Sequence, residues 1–182
     1  MQVPVSSIKV SNVKCHFKTL FPVQIPSKIR ERETIKQYSN FFIWRKRKFV
    51  YTVFAQAGIV NITGCKNFNS ETLQAVRLFQ KEFCLPENSS LSDLNFKIDC
   101  STASGKLVGI TKISLHHIQT SNPKINISLR PHYFSSAVIR EKTKPTILLF
   151  QSGSFIILGA KSFGGVKERF EFLVKLVCEQ NV

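Results

Sequence analysis

Tyr38 and Phe54 stand 16 residues apart, and Phe134 and Phe150 repeat the interval. Each second ring is followed by a glycine, Gly58 or Gly153, and then by Thr63-Gly64-Cys65-Lys66 or Leu158-Gly159-Ala160-Lys161-Ser162. Self-similarity at a fixed offset marks one supersecondary unit built twice. The charge points to what such a surface would touch. There are 26 Lys and Arg against 11 Asp and Glu, a formal net charge of +15. A surplus of this size fits a polyanionic partner, nucleic acid before anionic membrane. Bond-making chemistry finds little support. The chain has no paired carboxylates, no Ser/His/Asp arrangement and no phosphate-binding glycine loop. His116 and His117 are adjacent, so they share a face on neither a strand nor a helix. No enzymatic role is expected.

Cys15, Cys65, Cys84, Cys100 and Cys178 include no CxxC pair, and no HxxxH pair occurs, which argues against zinc. An odd cysteine count fits reduced thiols in a cytosolic or nuclear compartment. The start, Met1-Gln2-Val3-Pro4, has neither a basic nor an apolar leader region, and no apolar run reaches membrane-spanning length. The Asn-x-Ser/Thr triplets at Asn61, Asn88 and Asn126 read as chance matches.

The elements that must position the rings follow from β-branched and aromatic clustering. Strands are expected over 8–17, 41–44, 49–54 and 59–63, joined by the basic turn 45–48 and by Ala55-Gln56-Ala57-Gly58. A helix follows over 70–82, with Ser70 as its N-cap and Leu73, Val76, Leu78, Phe79 and Phe83 at helical spacing. The second half replays this, with strands over 94–98, 125–129, 137–139, 147–150 and 155–158. Ser152-Gly153 forms the hairpin turn, and a helix spans 166–178. The stretch 86–90 is the expected linker between a first repeat, 1–86, and a second, 87–182. Two such copies suggest an α+β fold: one continuous antiparallel sheet with a long helix from each half on a single face. The opposite face stays open, and function is expected there.

The sequence aromatic, strand, basic turn, strand, Phe-x-x-Gly, strand, Gly-Ala-Lys-Ser, helix resembles the core domain of the TATA-box-binding protein family. Phe150-Gln151-Ser152-Gly153 with Gly159-Ala160-Lys161-Ser162 carries most of the likeness. Leu94-Asn95-Phe96-Lys97-Ile98 and Lys144-Pro145 add to it, and it runs from about Lys9 to Val177. The resemblance implies a saddle of two pseudo-symmetric repeats, one curved antiparallel sheet with helices on its convex face. It implies binding in the DNA minor groove, with wedges between base steps and a bend of about 80°, which is a property of the family rather than a reading of this chain. The family's four wedges fall on Tyr38, Phe54, Phe134 and Phe150. A flat apolar ring replaces lost base stacking without burying a polar group, whereas the Tyr38 hydroxyl would need a partner.

The resemblance also assigns the groove face. The family's central asparagine is matched by Asn12, while its second-half counterpart is Cys100. The family's groove valines become Lys14, Asn61, Thr102 and Ile156. Thr63 keeps a hydroxyl, its mate is Leu158, and Leu148 joins the groove positions. Arg45 and Arg140 match phosphate-facing residues, while the lysine after each turn glycine has become Ile59 and Ser154. At the rim, where the family docks initiation factor IIB on acidic residues, this chain has Arg130-Pro131-His132-Tyr133, with the opposite sign. The resemblance therefore implies a divergent member, viral or paralogous. It would act in promoter recognition and transcription initiation, in the nucleus or at a site of viral transcription. The implied partners are AT-rich duplex DNA and initiation factors or polymerase components; no cofactor, membrane or small-molecule substrate is implied. The alternatives are a protein-interaction scaffold that kept the saddle but lost DNA bending, and a substrate-gripping module of a nucleic-acid enzyme.

Overall fold

The computed structural model describes residues 8–32, 35–86 and 90–178, with the side chains of all of these except Glu31 and Arg32. The chain divides into two compact units, Asn12–Asp99 and Met1–Ser11 with Cys100–Val182. Of the expected linker, residues 87–89 lie outside the described residues, as do Met1-Gln2-Val3-Pro4 and the triplet asparagine Asn88.

The first unit holds β1 (Lys9–Lys18) from its Asn12 onward, α1 (Ser27–Arg32), β2 (Ile35–Gln37), β3 (Phe42–Lys46), β4 (Phe49–Phe54), β5 (Ile59–Cys65) and α2 (Ser70–Glu82). The other holds β6 (Lys97–Lys106) from its Cys100 onward, α3 (Leu115–Ser121), β7 (Asn126–Arg130), β8 (Phe134–Arg140), β9 (Thr146–Phe150), β10 (Ser154–Ala160) and α4 (Phe163–Cys178). The strands run β2-β3-β4-β5-β1 in the first and β6-β10-β9-β8-β7 in the second. The expected α+β class holds, and the repeat is visible in the register. Thr52 faces Asn61 across β4 and β5, as Leu148 faces Ile156 across β9 and β10.

Period-2 alternation sorts the strand residues into two faces. In β4, Phe49, Tyr51 and Val53 are buried, while Val50, Thr52 and Phe54 are half-buried on the opposite side. The buried face meets α2 in an aromatic core. Phe79 and Phe83, one helical turn apart, stack at 4.1 Å, and Trp44 meets both edge-on. The Tyr51 hydroxyl donates to the Ala75 carbonyl at 2.9 Å, so the one polar atom of that ring is satisfied in the core. In the other unit Phe155 packs on Phe170 of α4, among Ile139, Ile147, Ile157 and Leu173. Arg169, only 3% exposed, ties α4 to the β8–β9 turn: Nε donates to the Pro145 carbonyl at 2.8 Å, and Nη1 pairs with Glu141.

Three expectations need correction. The strand placed over 94–98 begins only at Lys97, because Leu94–Phe96 form a turn in which Asn95 has φ +47° and the Phe96 N–H donates to the Leu91 carbonyl. Ser70 is the first helical residue of α2 rather than its cap. The Asn67 side-chain oxygen Oδ1 accepts both the Glu71 N–H at 2.9 Å and the Ser70 hydroxyl. The second long helix starts at Phe163, three residues before the expected 166, because the Ser162 hydroxyl accepts the Gly165 N–H and caps it.

Glu71 fastens the start of α2 to the strands. One carboxylate oxygen accepts the Lys66 N–H at 2.6 Å and the other pairs with Lys48 of the β3–β4 turn. The Lys48 ammonium, followed by the Lys66 amide, holds its carboxyl below the ordinary 4.5. A carboxyl lowered in the folded state adds stability above its unfolded value, and that stability is lost as pH falls through the lowered one. Urea unfolding between pH 3 and 7 should show stability falling below about pH 4.5. The fall should be shallower in Glu71→Gln; equal slopes would mean this carboxylate is not linked to folding.

Candidate nucleic-acid interface

In each unit the sheet face turned away from the long helix carries half-buried side chains at alternate positions. Direct cross-strand partners line up in rows on this face. One row runs Lys36, Ile43, Thr52, Asn61, His16 across β2, β3, β4, β5 and β1. Its counterpart runs Ser128, Val138, Leu148, Ile156, Ser104 across β7, β8, β9, β10 and β6. The expected groove residues Lys14, Asn61, Thr63, Thr102, Leu148, Ile156 and Leu158 are all half-buried on these faces. Arg45 lies beside Val50 at the end of β3, and Arg140 beside Asn126 at the end of β8; both are exposed.

Phe54 and Phe150 end β4 and β9, two residues beyond the members of these rows. Phe134 and Phe150 meet directly, with centroids 6.5 Å apart and Phe134 44% exposed. The other pair is built differently. Tyr38, 51% exposed, stacks on Phe41 at 4.6 Å, and Phe41 packs in turn on Phe54 at 5.6 Å. Phe41 thus makes a three-ring stack that pairwise spacing did not reveal. Strand alternation held the signal, since buried Phe42 and Trp44 put Phe41 on the outward phase. In the second unit the residue facing Phe150 is Ser136, so no third ring intervenes there.

Asn12 is fixed by a backbone bond. Its side-chain oxygen accepts the Gly64 N–H at 2.9 Å. A backbone N–H only donates, so the bond sets the amide orientation and leaves the NH2 group as a donor. Backbone satisfaction and readout of minor-groove acceptors are therefore compatible roles. Cys100 is half-buried at the matching position and offers no amide. His16, absent from the sequence expectations, donates or accepts through Nδ1 with Asp99 at 2.7 Å, both side chains being 29% exposed. Arg130, Pro131, His132 and Tyr133 form an exposed turn between β7 and β8, closed by the Tyr133 N–H on the Arg130 carbonyl at 2.9 Å; Tyr133 is 90% exposed.

The two motif glycines sit at β-bulges. The register slips between Val13 and Cys15 opposite Gly64, and between Leu158 and Ala160 at Gly159. Gly64 has φ +95° and Gly159 φ +90°, a region that side-chain-bearing residues avoid. His116 and His117 occupy the first turn of the short α3 and are exposed. Among the described residues, no group of three His, Cys, Asp or Glu could hold a metal ion, and no helix is long and apolar enough to cross a membrane.

Residues 95–180 match the family model of Transcription factor TFIID (or TATA-binding protein, TBP). No curated protein matches the chain in sequence. Among solved structures, Methanococcus jannaschii TBP has a similar fold, with a TM-score of 0.78 at 22% identity, over 96% of this chain and 99% of that one.

Proposed function

Because this chain carries a TATA-binding-protein-family core domain, matched in sequence over 95–180 and in fold over nearly its whole length, we propose that it binds duplex DNA through the minor groove and bends it in support of promoter recognition. One observation carries the reading. Both units set aromatic rings at the same register position, Phe54 and Phe150, on the sheet face that the long helix leaves uncovered. The mechanism is binding without bond-making. The energy of deforming the duplex is offset by rings wedged between base steps, by apolar groove contact and by neutralised phosphates. Tyr38 with Phe41 and Phe54, and Phe134 with Phe150, serve as the wedges. The Asn12 amide donates to groove acceptors, and Arg45 and Arg140 face phosphates. The site of action is the nucleus or a place of viral transcription.

The exposed turn of Arg130, Pro131, His132 and Tyr133 is the proposed docking rim for an initiation factor or polymerase component. Its basic and aromatic character selects a partner with an acidic contact patch. The test of the main reading is end-to-end energy transfer on short AT-rich and random duplexes at two salt concentrations. Marked shortening of the AT-rich duplex, weakened but not abolished by salt, is the expected result. Weak binding that salt removes, without shortening of either duplex, would instead leave the protein as a docking platform for other proteins.

A further inference from the structure

The two open faces have the same register but different chemistry. At three successive row positions one unit places His16, Asn61 and Thr52; the other places Ser104, Ile156 and Leu148. Two residues further along β5 and β10, the pattern continues with Thr63 against Leu158. All eight side chains are half-buried. The first set is polar at every position, whereas the second has a single hydroxyl among aliphatic groups.

This difference maps onto what the minor groove offers. An A·T pair presents only acceptors there, while a G·C pair adds the guanine N2 amino donor. Against Ile156, Leu148 and Leu158 that amino group would be desolvated without a partner, a costly arrangement. Against the other face it meets acceptors: the Asn61 carbonyl oxygen and the Thr52 and Thr63 hydroxyls. His16 adds a fourth in the tautomer whose Nδ1–H donates to the Asp99 carboxylate, because Nε2 then keeps its lone pair.

We propose that base recognition is asymmetric: the Cys100–Val182 unit demands A·T pairs, and the Asn12–Asp99 unit accepts G·C pairs through Asn61, with His16, Thr52 and Thr63. This deepens the minor-groove reading and rests on it. The site would then have a polarity written in composition, and a wholly A·T element would not be its sole good target.

The experiment is a panel of otherwise A·T duplexes with one G·C pair moved along the site, each paired with an inosine·C control. Inosine lacks the N2 amino group, so it separates that group from every other effect of the substitution. In one stretch of the site, G·C should weaken binding about tenfold or more, with inosine restoring it. In the other stretch the loss should stay below about threefold. Asn61→Val should raise the penalty in the tolerant stretch and make inosine rescue appear there. Ile156→Asn should lower it in the intolerant stretch, so the conclusion does not hang on one variant. Equal penalties throughout, or penalties that neither variant moves, would overturn the asymmetry while leaving DNA binding intact. Failure to bind any duplex would overturn both readings together.

Discussion

Replacing Phe134 and Phe150 together by alanine should abolish bending while leaving the fold intact. The two rings meet at 6.5 Å on the uncovered face, and Phe134 is 44% exposed, so neither belongs to the core around Phe155 and Phe170. Stacking of an aromatic ring on a base is worth about 1–3 kcal/mol by alanine substitution. Two rings therefore carry about 2–6 kcal/mol, a loss of roughly thirtyfold or more in affinity. Non-specific attraction by the basic surface should survive and become the whole of the binding, so that salt removes it at a lower concentration. Energy transfer across a labelled duplex gives the bend, and urea unfolding checks the fold. Unchanged shortening in a folded double variant would remove the wedge mechanism. The three-ring stack predicts a contrast: Tyr38→Ala alone should do less harm, because Phe41 still supports Phe54 at 5.6 Å.

How much of this was legible follows from which physics the sequence displays. Alternation in Phe-Val-Tyr-Thr-Val-Phe wrote β4 with its bounds correct, and helical spacing wrote α2 the same way. Repetition located the aromatic positions, because two copies of a spacing are hard to obtain by chance. Local hydrogen bonding was less legible. Nothing in the composition said that Asn67, rather than Ser70, would accept the Glu71 amide, or that Asn95 would turn the chain before β6. Register was hidden as well. His16 and Asp99 are 83 residues apart in sequence, and only strand pairing brings His16 into line with Asn61. The glycine motif was recognised, but its reason was not. Both glycines occupy bulges at positive φ, which appear only once the strands are paired.

That last point predicts unequal costs for the same substitution at the two equivalent positions. Gly64→Ala places a Cβ 2.2 Å from the Lys48 carbonyl oxygen, a backbone atom that cannot swing aside. Gly159→Ala places a Cβ in open space, with nothing within 4 Å. Positive φ alone costs a side-chain-bearing residue about 1–2 kcal/mol, and that should be the whole effect at Gly159. At Gly64 the same strain adds to displacement of the β3–β4 turn and to weakening of the Gly64–Asn12 bond. A total of about 3–5 kcal/mol follows, enough to unfold a marginal domain. The damage should also reach the proposed DNA contact, since Asn12 would lose the partner that sets its amide orientation. Thermal unfolding of the two variants tests the argument: Gly64→Ala should melt well below Gly159→Ala. Equal losses would place the whole constraint in the backbone dihedral and none in the close approach of β5 to Lys48.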